Sequence, residues 1–172
     1  TILRTGGGAL KGFNTDAYGL LYMAGRAGIS FAGKKVVIFG SGGASQTAQY
    51  VARRGDAREV AVISRSGKDN YENLSRHHDA GVLINTTPVG MYPDNGPSIA
   101  DIAPFSACTG ILDLIYNPRR TALLMQAAAL GIPCTGGLPM LVAQAKAAAE
   151  LFMDTEIAET EIERIVRKLH RD

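Results

Sequence analysis

An apolar stretch that runs straight into a glycine-rich turn constrains this chain more than any other feature. Lys35-Val36-Val37-Ile38-Phe39 is followed at once by Gly40-Ser41-Gly42-Gly43-Ala44-Ser45, and then by a helical pattern closed by Gly55. A short unbroken run of β-branched and aromatic residues predicts a strand buried on both faces, as in parallel sheets covered by crossover helices. The same kind of run returns at 60–63, 82–84, 111–115 and, more briefly, 132–134, with helical stretches between. Strand and helix in alternation predict an α/β fold in which the strands are parallel.

The flanking pattern agrees. Residues 1–13 read as extended chain with a turn at Gly6-Gly7-Gly8, and 17–27 as a helix that Gly28 ends, with Thr15 or Asp16 suited to cap it. Asn117 as N-cap, Pro118 in the first turn and Gly131 past the end bracket another helix. An Ala-rich helix is expected over 137–153. Ala158, Ile162, Ile165 and Leu169 then recur at helical spacing, so the tail should dock one face on the body. The expected fold is a doubly wound, Rossmann-like parallel sheet with helices on both faces.

Composition narrows the function classes. The chain has 172 residues, 46% hydrophobic and 20% charged, which suits one ordinary domain and excludes a disordered chain. No apolar run approaches the ~18 residues of a membrane span, so a soluble protein of the cytoplasm is expected, with no membrane partner. A net charge of +2 argues against a nucleic-acid partner. Eight Lys and Arg against two Asp in the first 58 residues make that part basic, which suits a phosphate-bearing ligand or simply a solvated face. Cys108 and Cys134 lie in apolar segments without metal-type spacing, and read as buried thiols in a reducing compartment. His77, His78 and His170 form no ligand set, so no metal is expected. The chain opens on Thr1 without a signal-peptide layout, and is expected to be a piece of something longer.

The glycine-rich turn carries the first chemistry. Gly40 permits a tight turn, Gly42 lets backbone approach a pyrophosphate, and Gly43 and Ala44 open a helix whose N–H groups and partial positive charge suit an anion. With Ser41, these residues are the expected phosphate cradle of a dinucleotide; the alternative is a turn that merely needs positive φ. Ser64-Arg65-Ser66 follows the second strand, where an NAD site would place an acid for the ribose 2′-hydroxyl. No acid comes before Asp69. Arg65, Ser66 and Lys68 stand there instead, which favours a 2′-phosphate and hence NADP. Asn85-Thr86-Thr87-Pro88 follows the third strand and could line the nicotinamide side. Near Gly136-Gly137-Leu138-Pro139-Met140, Met140 and Gln144 share one helix face.

Taken together, these motifs resemble shikimate dehydrogenase. The resemblance covers nearly the whole chain: GFNTD at 12–16, FGSGGAS at 39–45, INTTPVGMYP at 84–93, DLIYNPRRT at 113–121 and GGLPMLVAQA at 136–145. It implies reversible NADPH-dependent reduction of 3-dehydroshikimate to shikimate, on the chorismate route to aromatic amino acids. It implies that Asp16 is the aspartate of a Lys–Asp catalytic pair, and that Asn14, Asp16, Tyr116 and Gln144 contact substrate. Gly137 and Met140 match positions beside the nicotinamide, and Ser64, Arg65 and Ser66 the adenine-ribose phosphate clamp. A homodimer is an assembly the resemblance allows.

Two departures stand out. The stretch from Ser66 to Gly81 is short, so one crossover helix should be abbreviated. The family's N-terminal substrate lobe, with its paired serines and catalytic lysine, has no counterpart, and Lys11 lies outside the lysine motif. Residues 1–15 would be the end of that lobe and a connector, and 16–172 the cofactor domain, inactive by itself. The alternatives are a quinate/shikimate dehydrogenase using NAD, and a non-catalytic nucleotide-binding module. The second would have no use for Asn14, Asp16, Tyr116 and Gln144.

Overall fold

The structure is a computed structural model that describes residues 1–169. A short antiparallel hairpin, β1 (Ile2–Arg4) and β2 (Leu10–Gly12), turns at the glycine triplet and leads into α1 (Thr15–Arg26). The body is one five-stranded sheet of β3 (Lys35–Phe39), β4 (Glu59–Ile63), β5 (Val82–Asn85), β6 (Ile111–Asp113) and β7 (Cys134–Gly136). Its order is β4-β3-β5-β6-β7, and every pairing is parallel. The helices between are α2 (Gly43–Arg54), α3 (Ala122–Ala129), α4 (Leu138–Met153) and α5 (Thr160–Leu169).

The doubly wound expectation holds, with an asymmetry between the faces. Val36, Ile38, Val82, Ile84 and Leu112 point to one side and pack under α1 and α2. Val37, Phe39, Leu83 and Ile111 point to the other, where Leu123 and Ala127 of α3 share the cover with Ile102 and Phe105 from an irregular connection. The abbreviated crossover is present as a single 3₁₀ turn, Leu74–His77. α5 docks on the body, but on a face shifted from the expected one: Ile162 and Val166 are buried against α4 with Ile165 half-buried beside them, whereas Ala158 and Leu169 are exposed. Among the described residues no helix is long and apolar enough to cross a membrane.

Several local expectations are corrected. The cap of α1 is Asn14, whose side chain accepts from the amide of Ala17 at 3.1 Å, rather than Thr15 or Asp16. α3 starts at Ala122 under Thr121, not at Asn117-Pro118. The Thr121 hydroxyl accepts from the Leu124 amide while donating to a buried carboxylate on β6, a tertiary partner that no local pattern announces. The fifth strand lies at Cys134–Gly136 because the Ile132 amide is taken by Ala127 at the end of α3. Cys108 and Cys134 are free thiols but only half-buried. Lys35 breaks the apolar reading of β3. It is buried with its ammonium 2.9 Å from Asp79 and 3.3 Å from Glu59; burial works to lower its pKa, and these partners outweigh it and raise it.

Candidate functional site

The strand order reverses at β3: one crossover leads out to β4, the next returns past β3 to β5. In open parallel sheets the crevice at such a reversal, along the carboxyl ends of the strands, is where ligands bind. Here that crevice is a cavity of about 560 Å³. Gly40, Ser41 and Gly42 line it from the end of β3, Ser64 and Arg65 from β4, and Thr86 and Thr87 from β5. Residues far apart in the chain thus share one wall because parallel strands end on the same side.

The two turn glycines are there for different reasons. Gly40 has φ +105°, and a Cβ on it would lie 2.6 Å from Thr86 Oγ1, so the fold itself demands glycine. Gly42 has φ −80° and ψ −167°, ordinary extended backbone, and a Cβ there would meet nothing within 4 Å. Gly43 is equally open. Neither strain nor packing asks for glycine at 42 or 43, so a turn serving the fold alone does not account for them. Gly42 is also the N-cap of α2 and offers no side chain to the first helical amides, which leaves them without a side-chain partner at the edge of the crevice that Gly42 lines. That open, donor-rich cradle fits a dinucleotide's phosphates. Ala44 lies on the exposed first turn just beyond.

Behind the cavity lies a buried polar frame. Asp113, at the end of β6, is fully buried and accepts from Asn85 Nδ2 (3.0 Å), the Ile115 amide (3.2 Å) and Thr121 Oγ1 (2.6 Å). Burial raises its pKa, and the three donors oppose that rise. Asn85 then accepts from the Thr87 amide and hydroxyl (3.0 and 2.8 Å), and Thr86 Oγ1 donates to Phe39 O at 2.6 Å. Asn85 does not itself face the cavity, contrary to expectation: it is wholly buried, and its side-chain bonds run to Asp113, Thr87 and Val89. Sequence reasoning passed over Asp113, although one aspartate inside Ile111-Leu112-Asp113-Leu114-Ile115 is the signal that could have found it.

The remaining candidates lie outside that cavity. Met140 and Gln144 lie where α4 packs against α1, the helix that carries Asp16 in its first turn. Gly19, one turn after Asp16, packs so closely that a Cβ on it would lie 2.6 Å from Met140 O and 3.1 Å from Gln144 Cβ. A glycine inside a helix was the available signal for that approach. Because Asn14 does the capping, the Asp16 carboxylate is exposed and, among the described residues, makes no hydrogen bond or ion pair. Asn14 lines a different cavity, between the hairpin and the end of α4.

Tyr116, half exposed, and Gly137 line a third cavity of about 250 Å³ beyond β6 and β7. Gly137 is buried, and a Cβ there would overlap Leu114 O, so packing against β6 already accounts for its being glycine. Ser66 and Lys68 lie on the loop after β4 and do not line the switch-point cavity. No group of three or more His, Cys, Asp or Glu among the described residues could hold a metal ion, and His170 lies outside those residues.

No family model matches the chain. Shikimate dehydrogenase (NADP(+)) of Methanosarcina acetivorans is 32% identical over 176 aligned positions, which cover 91% of this chain and 63% of that protein. Among solved structures, a chorismate mutase/shikimate 5-dehydrogenase fusion protein from Clostridium acetobutylicum superposes with TM-score 0.92 at 31% identity, over 99% of this chain and 66% of that one. Shikimate 5-dehydrogenase from Thermus thermophilus, in complex with NADP(H) and shikimate, gives TM-score 0.82 at 30% identity, over 97% and 66%. The chain therefore spans a little under two thirds of the length of the relatives it matches. Sequence and fold agree that, over that span, the chain is homologous to the shikimate dehydrogenases.

Proposed function

We propose that this chain is the cofactor-binding part of a cytoplasmic, NADP-dependent shikimate dehydrogenase, which interconverts 3-dehydroshikimate and shikimate. Residues 1–15 would connect to a substrate lobe and 16–172 would hold the dinucleotide. The observation that carries this reading is Gly42: a glycine with no internal reason to be one, at a helix N-terminus, in the cavity that Arg65 also lines. The α2 amides and the Gly42 backbone would take the pyrophosphate, and the Arg65 guanidinium a 2′-phosphate.

When bound, the cofactor supplies or accepts the hydride. The chain's own contribution is orientation. Asp16 would accept from a substrate hydroxyl and hold a lysine of the substrate lobe in its charged form for proton transfer. Gln144, one turn from Met140 on the facing helix, would hydrogen-bond the same substrate, as would Tyr116.

Calorimetric titration of NADP+ and NAD+ into the 172-residue chain tests the reading. Saturable binding with a clear preference for NADP+ is expected. Arg65→Ala should weaken NADP+ roughly tenfold and spare NAD+, since one charged contact to phosphate is worth a few kcal/mol at most. Comparable binding of both cofactors by the parent chain would instead support the NAD-using quinate/shikimate reading. Equal losses for both in Arg65→Ala would refute the phosphate assignment.

A further inference from the structure

The loop that joins β4 to the 3₁₀ turn carries both signs of charge. Arg65 lines the switch-point cavity, whereas Asp69, the first acid after β4, does not. Yet Asp69 is not remote from it. Its backbone carbonyl accepts from the amide of Ser64 at 3.2 Å, and Ser64 is a cavity residue. The turn is tight enough that a Cβ on Gly67 would lie 2.5 Å from Ser64 Oγ. What keeps the carboxylate out is the direction of its side chain: Oδ1 lies 3.2 Å from Nε2 of His77.

His77 is a strange core residue. Its side chain is only 7% exposed, and neither ring nitrogen has a hydrogen-bond partner in line, although Asp69 is within ion-pair reach. Buried polar groups are almost always satisfied, so a ring in this position points to a role beyond filling space. The cost of letting Asp69 go is equally plain. A carboxylate beside the ribose suits a bare 2′-hydroxyl and repels a 2′-phosphate.

We infer that His77 is a positioning residue for cofactor discrimination: it draws the Asp69 carboxylate away from the switch-point cavity, so that the ribose end of a dinucleotide meets Arg65 and no acid. This rests on the dinucleotide reading above. It adds a residue that touches neither cofactor nor substrate.

The test is titration of the 172-residue chain with NADP+ and, separately, NAD+, in the parent and in His77→Gln and His77→Phe. Phenylalanine keeps the ring's bulk and loses no in-line hydrogen bond, so it carries the test even if the glutamine variant fails to fold. Both variants free Asp69. NADP+ should weaken about fivefold, the upper range for a partly exposed charge pair, while NAD+ holds or tightens. Adding Asp69→Asn to either variant should restore NADP+ binding, a rescue that a merely structural His77 would not show. Equal losses for both cofactors, an unchanged ratio between them, or no rescue by Asp69→Asn would each overturn the inference. If Arg65→Ala abolishes the preference for NADP+ and the His77 variants keep it, the phosphate reading stands and the His77 inference falls. If the parent binds neither cofactor, both fall.

Discussion

Gly40 and Gly42 lie two positions apart in one turn and should answer substitution in opposite ways. Alanine at 42 keeps an allowed backbone and meets open space, so the folded chain should be as stable as the parent or gain about 0.4–1 kcal/mol from a less flexible unfolded state. Its methyl group, however, stands where a phosphate would approach, and dinucleotide affinity should fall by about tenfold or more. Alanine at 40 forces a left-handed backbone on an L-residue and drives Cβ toward Thr86, so stability itself should drop by about 1–3 kcal/mol. Urea unfolding beside calorimetric titration separates the two. A Gly42→Ala chain that binds as the parent does would remove the main support for the phosphate cradle. Asp16 makes the complementary point: with Asn14 capping α1, nothing in the described structure uses the exposed carboxylate.

Asp113 joins three separate segments: the end of β5 through Asn85, the chain just past β6 through the Ile115 amide, and the start of α3 through Thr121. Asp113→Ala would strip acceptors from all three, and should cost about 2–3 kcal/mol in urea unfolding. Its pH dependence has a definite sign. Burial, outweighing the three donors, raises the native pKa above the unfolded one, so the native state holds this proton longer. Stability from this group therefore falls as pH rises from about 4 through the native value, and is level above it. Asp113→Asn should flatten that segment of the stability–pH curve. An unchanged slope would mean that Asp113 does not titrate as its burial requires.

At the scale of the molecule, α5 is fastened to α1 by Glu163, which accepts from Tyr22 Oη at 2.7 Å and from Arg26 Nε at 2.6 Å. The hydrogen bond from Arg26 and then that from Tyr22 hold the pKa of the Glu163 carboxyl down at about 2. A lowered carboxylate pKa contributes stability above its unfolded value, and that contribution is lost as pH falls from 4.5 toward 2. Both side chains are about a third exposed, so solvent screening limits the pair to about 1 kcal/mol or less. The protection of amides across 160–169 against hydrogen exchange, taken relative to the intrinsic exchange rate at each pH, should fall by up to about fivefold in the parent as pH drops below 4. In Glu163→Gln that protection should be lower by a similar factor near neutral pH and show no such step. The docking of α5 matters to the site because α4, which it supports, carries Met140 and Gln144 against α1.

The sequence alone determined the parallel α/β fold, the five strands in order and the glycine-rich turn at the end of β3. Each is written in contiguous residues: unbroken apolar runs, the alternation of strand with helix, and a turn whose function depends on missing side chains. The short crossover before β5 was legible too, because it is a matter of chain length. What only the tertiary structure decided were partnerships between distant residues. Thr121 rather than Asn117 starts α3 because Asp113 lies beneath it, and Asn85 is turned inward by the same carboxylate. Asp69 faces His77 rather than the cavity, and Gly137 is a glycine because Leu114 crowds it. A buried polar group must find its partner somewhere in the folded chain, and nothing in the local sequence says where.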